Sequence, residues 1–250
     1  MTWTTTFPSE VPIMKLFIDI ETIPSQRDDA RELVRDSIKP PATLKKPESI
    51  AAWWANEADA AVEEAYRRQA LDGGLAGEII SIAVVTDNDR EWVRCRRECE
   101  PEAELLAEFF DQVETWTREI AAGVMPDHPS AWPLDDHYPV AHNAGFDFGF
   151  LWRRARVNRV PVPSWLPGPM ARAGREFGDT MLAWAGYGNR VSLDALCRAL
   201  GIRSPKDNGM DGSQVFDAWL ASKYAEIEQY NLADAAAVAE VWNRLTGSAA

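Results

Sequence analysis

Apolar and polar positions divide this chain into segments of two different periods. Residues 13–20 and 79–85 are short, nearly continuous apolar runs rich in β-branched residues, the signature of buried strands. Glu91 to Cys95 reads as a hairpin partner of the second run across Asp87-Asn88-Asp89-Arg90, and Tyr138 to Ala141 as a further short strand. Residues 101–120 repeat at helical spacing, with Pro101 near the first turn. A helix is predicted from Gly145 to about Asn158, followed by a Pro-rich loop over 160–174. Ser192 to Gly201 carries apolar residues at i, i+3, i+4 and i+7 between a capping Ser and a terminating Gly. Residues 213–246 read as two helices joined near Ser222. Residues 24–47 are polar, with Pro40-Pro41 and Lys45-Lys46-Pro47, and predict a break. Residues 48–71, rich in Ala and Glu, predict one helix ending before Asp72-Gly73-Gly74. The stretch 123–139 is loop-like, with four prolines. Strands followed by helices and a further strand predict a mixed α/β sheet flanked by helices, in one domain without repeats.

At 250 residues the chain can bury one well-formed core. No apolar run reaches the ~18 residues of a membrane span, and the start lacks a basic region followed by an apolar one. Met14-Lys15-Leu16 directly precedes the first strand. Residues 1–12 are therefore expected to be a disordered leader, with Met14 a candidate biological start. Cys95, Cys99 and Cys197 fit no zinc spacing and read as reduced thiols of a cytoplasmic protein. The net charge of −13 argues against wrapping a long duplex. Its distribution is uneven. Ten basic and three acidic residues over 151–206 leave that window at +7 and the rest at −20. A local basic patch suits a short strand end, with a solvated Arg-rich helix face as the alternative.

Candidate chemistry enters with Phe17-Ile18-Asp19-Ile20-Glu21-Thr22. In a strand, Asp19 and Glu21 point to the same face. Two adjacent carboxylates repel, and burial adds a desolvation cost that a divalent cation relieves. A solvated edge strand is the competing reading. In the last helix, Ile227, Tyr230, Val238, Val241 and Leu245 fall on a narrow arc with Asp234 at its middle. An acid there is costly unless paired or metal-bound, with a stripe centre that faces a solvent cleft, or an Arg partner, as the competing readings. Tyr230 and Asp234 are spaced i,i+4 and share one face. A third segment, His142-Asn143-Ala144-Gly145-Phe146-Asp147, joins a short strand to a helix. Alone, Asp147 reads as an acid favoured in a first helical turn, and His142 as a hydrogen-bonded structural residue.

Together these segments resemble a family. Asp19-x-Glu21, Asn143-x-x-Phe146-Asp147 and Tyr230-x-x-x-Asp234 follow the order of the three motifs of the DEDD exonuclease superfamily. The Tyr-x3-Asp form marks its DEDDy branch; the His branch needs His where this chain has Gln229. Ile18-Asp19-Ile20-Glu21-Thr22-Ile23-Pro24 and Gly209-Met210-Asp211-Gly212-Ser213-Gln214-Val215 resemble a narrower group. These are stand-alone exonucleases related to the proofreading domain of family-B DNA polymerases. The resemblance covers about residues 13–246, with a helical insertion at about 24–77. It implies a ribonuclease H-like fold and a 3′→5′ exonuclease acting on single-stranded DNA 3′ ends. It implies two divalent cations, Mg²⁺ or Mn²⁺, held by Asp19, Glu21, Asp147 and Asp234. Tyr230 would orient the attacking water, since a pKa near 10 makes it a poor base at neutral pH. Asn143 would position Asp147 or touch the terminal nucleotide, with His142 and Phe146 as further substrate contacts. Phe146, Phe148 and Trp152 are base-stacking candidates, with core packing as the alternative. Asp179-Thr180 reads as structural capping. A polymerase or repair protein is the implied partner. An exoribonuclease and a non-catalytic end-binding module are the alternative functions.

Overall fold

The computed structural model describes residues 13–124 and 137–247, so the expected leader and most of the Pro-rich stretch 123–139 lie outside the described residues. A five-stranded sheet of order β3-β2-β1-β4-β5 forms the centre. The middle strand, β1 (Met14–Ile23), runs antiparallel to β2 (Glu78–Thr86) and parallel to β4 (His137–Ala141). β3 (Glu91–Cys95) completes the expected hairpin with β2, and the two-residue β5 (Gly178–Asp179) pairs with β4.

The two-residue period of β1 sorts its side chains between two faces. Met14, Leu16, Ile18 and Ile20 enter the core formed with α4 (Glu102–Val124) and α5 (Ala144–Val157). Phe17 turns the other way and packs on Val140 and on Val238 of α9 (Tyr224–Thr246). Asp19 and Glu21 share the parity of Phe17 and so face α9. That helix lies across the sheet, touching β1, β2, β3 and β4. α6 (Thr180–Ala185), α7 (Leu193–Leu200) and α8 (Val215–Leu220) pack around it. The capped helix 193–200 and the joint near Ser222 are as expected from the sequence.

The segment 24–77, expected to be a helical insertion, differs from its sequence reading. The polar segment 24–47 contains a helix, α1 (Ala30–Ser37). It is too short for periodicity to register, because only Ala30 and Val34 are buried. Tertiary contacts hold it instead: Arg31 pairs with Glu63 and lies 3.8 Å from the Tyr66 ring centre. The single helix expected over 48–71 is three pieces. These are α2 (Pro47–Asn56), α3 (Ala58–Arg67) and a 3₁₀ turn (Arg68–Leu71). The chain leaves helical geometry at Glu57 (φ −121°), which lets α3 fold against α1. Ala and Glu favour helix but do not say where it breaks. Cys95 and Cys197 are buried free thiols pushed up to about 12 and about 11 by desolvation, and Cys99 is exposed. Among the described residues, no helix is long and apolar enough to cross a membrane.

Candidate active site

Asp19 and Glu21 stand near the C-terminal end of β1, where the pairing register with β2 shifts between Glu21 and Thr22. Opposite them on β2 are Ala83 and Ser81, both fully buried and small. Small cross-strand neighbours leave a recess over the two carboxylates, and α9 fills its roof. Oxygens of Asp19, Glu21 and Asp234 lie within 4.8 Å of one another. Glu21 is buried; Asp19 and Asp234 are half-buried. Asp147, buried in the first turn of α5, lies outside that close group, but its charge reaches both Asp19 and Glu21. Its own carboxylate is held by its backbone amide and that of Ile20.

The electrostatics follow from this crowding. Burial, then the negative charges of Asp234, Asp147 and Glu21, raises Asp19 well above the usual carboxylate range. Burial and the charges of Asp234 and Asp147 do the same to Glu21. Burial lifts Asp234 to about 7, against the hydrogen bond from the Tyr230 hydroxyl and the charge of Lys206. Burial and the neighbouring carboxylates also raise the Tyr230 phenol, so it stays protonated and donates. The three clustered acids and nearby Asp147 are thus compensated only weakly by the protein's own cations. An all-oxygen donor set of this density fits a hard divalent cation such as Mg²⁺ or Mn²⁺.

Two features of the site were not read from the sequence. Asn231 is fully buried; it donates to Asp19 Oδ2 (2.7 Å) and accepts from Ser81 Oγ (2.8 Å). The amide therefore fixes the orientation of one carboxylate from behind. A signal for it existed: at 100° per residue, Asn231 lies only about 20° outside the apolar arc of α9. Lys206, on a 3₁₀ turn packed against α9, is the second. Nothing local in the sequence pairs it with Asp234.

The loop from β4 into α5 brings the other expected residues to the same sheet end. Asn143 takes a left-handed conformation (φ 60°), which Asn tolerates, and its side chain is exposed. Asp179 accepts from the backbone amides of Asn143 and Ala144 and also caps α6 through Leu182 N. It is a structural cap for two helices. Gly178 before it has no room for a Cβ, which would meet Trp242 at 2.7 Å and Val140 at 2.9 Å. His142 does not fit the substrate contact expected of it. Its Nδ1 meets Thr180 Oγ1 (2.8 Å) and its Nε2 meets the Val191 carbonyl (2.9 Å). With both nitrogens engaged and burial lowering its pKa, it is a neutral tie between β4 and the 180–191 segment. Of the three aromatic candidates, Phe148 is core and packs on Phe177. Trp152 carries Arg156 at 5.2 Å. Phe146 is half-buried and lines a cleft shared with Glu21. The Gly209–Val215 motif builds structure: Asp211 and Gln214 form a capping box, and Val215 is core.

The basic window is also partly structural. Arg154 is buried in an ion pair with Glu102, Arg153 donates to the Gly73 carbonyl, and Arg198 pairs with Asp194. Arg172, Arg175 and Arg190 remain on the surface.

Residues 139–248 match the family model described as "Predicted 3'-5' exonuclease related to the exonuclease domain of PolB". The match contains Asn143, Phe146, Asp147, Tyr230 and Asp234, while Asp19 and Glu21 precede it. Among solved structures, the chain is similar to the family B DNA polymerase from the hyperthermophilic archaeon Pyrobaculum calidifontis. The TM-score is 0.55 at 16% identity, covering 94% of this chain and 25% of the polymerase. That likeness supports the fold, and the chain spans about a quarter of the polymerase's length. No curated protein matches the chain.

Proposed function

We propose that the chain is a metal-dependent 3′→5′ exonuclease that shortens single-stranded DNA from its 3′ end by phosphodiester hydrolysis. The observation that carries this reading is the recess itself. Three carboxylates within 4.8 Å, a fourth acid behind them and a protonated Tyr beside them cost stability without a cation. Asp19, Glu21 and Asp234 would hold one divalent cation, and Asp147 with Asp19 a second. When bound, such ions make water nucleophilic near neutral pH and stabilise charge on the departing 3′ oxygen. Asn231 keeps Asp19 aimed at the recess. Tyr230 cannot serve as a base with its phenol pKa raised; its hydroxyl, donating to Asp234, orients the attacking water through the lone pairs of its oxygen. Lys206 adds a cation at the rim, where an incoming phosphate meets the acid-rich centre. Phe146 offers an aromatic face to a terminal base. A polymerase or repair protein that hands over such ends is the partner this activity implies.

The test is a denaturing gel of 5′-labelled DNA and RNA single strands with Mg²⁺ or Mn²⁺, wild type beside Asp19→Ala. The expected result is a metal-dependent ladder shortening from the 3′ end on DNA, absent in the variant. Cleavage that survives Asp19→Ala overturns the site assignment, and preferential shortening of RNA overturns the substrate.

A further inference from the structure

A cleft of about 510 Å³ opens beside Glu21, within the range of small-ligand sites. One wall comes from the functional core: Ile20, Glu21 and Phe146. Arg67, Arg68, Ala70 and Leu71 of the insertion line it too, beside Glu64 and the 212–216 segment. We infer that the insertion is a substrate-binding wall: this cleft seats the unpaired end of the strand, with Leu71 and Phe146 flanking a base and Arg68 contacting a backbone phosphate. The inference rests on the nuclease reading and names the residues that would set its grip on the polymer.

The wall is built to hold its place. Thr22 Oγ1 donates to the Ala70 carbonyl (2.6 Å), and Ser25 N donates to Gln69 Oε1 (3.3 Å), so the turn is pinned to the strand just beyond Glu21. Arg67 bridges Glu63 and Asp217 and lies 5.2 Å from the Phe216 ring, tying the wall to α8 as well. At Gly77 a Cβ would sit 2.1 Å from the Gln69 carbonyl oxygen, so the return strand presses on the turn from behind. Against this rigid base, Leu71 is 72% exposed although it lines the cleft. An apolar side chain left open beside charged residues gains by covering a base. Phe146 is braced by Phe150 at 5.3 Å and presents a fixed ring. Among the described residues Arg68 pairs across an exposed i,i+4 contact with Glu64, an interaction weak enough to exchange for a phosphate. Beside the carboxylates of Glu21 and Glu64, the cleft therefore offers apolar faces and an exchangeable cation, the chemistry that holds a single strand with its bases unpaired.

The experiment uses the full chain and its Leu71→Ser and Arg68→Ala variants. Activity is measured on a single-stranded DNA oligonucleotide and on bis(p-nitrophenyl) phosphate, a diester without a base. Both variants are expected to raise KM for the oligonucleotide about 5–10-fold while kcat stays within about twofold and the small diester is hydrolysed as before. Arg68→Ala should also flatten the slope of log KM against log salt by about 0.7. Unchanged oligonucleotide KM and salt slope in both variants, with wild type active, overturn the wall and leave the nuclease reading standing. Should wild type hydrolyse neither substrate, the nuclease reading fails. The wall is then judged by fluorescence anisotropy of a labelled oligonucleotide in EDTA. Weakened binding in the variants supports it, and equal binding overturns it.

Discussion

Two groups of buried charge in this molecule are treated in opposite ways. Glu102 and Arg154, between α4 and α5, are almost fully buried. Glu102 accepts from Arg154 Nε (3.0 Å) and Nη2 (2.6 Å), from Asn158 Nδ2 (2.7 Å) and from Ile79 N (2.7 Å). Its charge is balanced and its lone pairs are used. By contrast, Asp19, Glu21 and Asp234, with Asp147 close enough to act on them, crowd a recess whose protein donors are an amide, a phenol and backbone N–H groups. Both arrangements desolvate carboxylates. The first completes its compensation within the fold and serves stability. The second leaves its compensation incomplete within the fold, which makes it the candidate functional centre.

The contrast can be broken from either side. The largest effect belongs to Asp234→Asn: exonuclease turnover should fall to background. The same change removes a repelled charge, so it should raise Tm in EDTA at pH 8; a lowered Tm would show the recess to be a structural acid cluster. Arg154→Ala should do the reverse. It strands a buried carboxylate and should cost about 3–5 kcal/mol in chemical denaturation. Arg154→Met with Glu102→Leu should recover most of that loss, since a packed apolar pair can replace a buried ion pair. Asn231→Ala releases Asp19 without removing a carboxylate. It should weaken Mn²⁺ affinity or turnover by about 10–100-fold, read by metal titration and the gel assay together. Tyr230→Phe should slow turnover and spare metal affinity; lost affinity would make Tyr230 structural.

The smallest effect is the pH dependence of the metal-free fold. Asp234 moves from 3.8 to about 7 on folding, so between those values the folded state holds more protons than the unfolded one. The contribution of Asp234 therefore declines as pH rises from about 4 to about 7 and levels off above, while the raised Asp19 and Glu21 add to the decline. Melting in EDTA from pH 5 to 8 should show this decline, a shallower one in Asp234→Asn, and recovery on adding Mn²⁺ at pH 8. Each kcal/mol regained is worth about 2–4 °C at this chain length. A profile as flat in wild type as in the variant would contradict the raised value.

Regular elements with strong periods were legible in the sequence because their burial pattern is local. β2, β3, α5, α7 and the α8–α9 joint come close to their expected ends. The insertion was not legible in that way. α1 exists because Arg31, Val34 and Tyr66 meet in space, and the break at Glu57 exists because α3 must return to meet α1. Within the site, the parity of Asp19 and Glu21 and the i,i+4 spacing of Tyr230 and Asp234 are properties of one strand and one helix. The chain alone therefore determined which side chains share a face. Tertiary structure alone decided that those two faces meet, with Ala83 and Ser81 small enough to leave the recess and Asn231 close enough to brace it. It also engaged both nitrogens of His142 within the fold, spent Arg154 on Glu102 and brought Leu71 and Phe146 to the lining of one cleft. Periodicity is a property of neighbours in sequence, while compensation of charge is a property of neighbours in space.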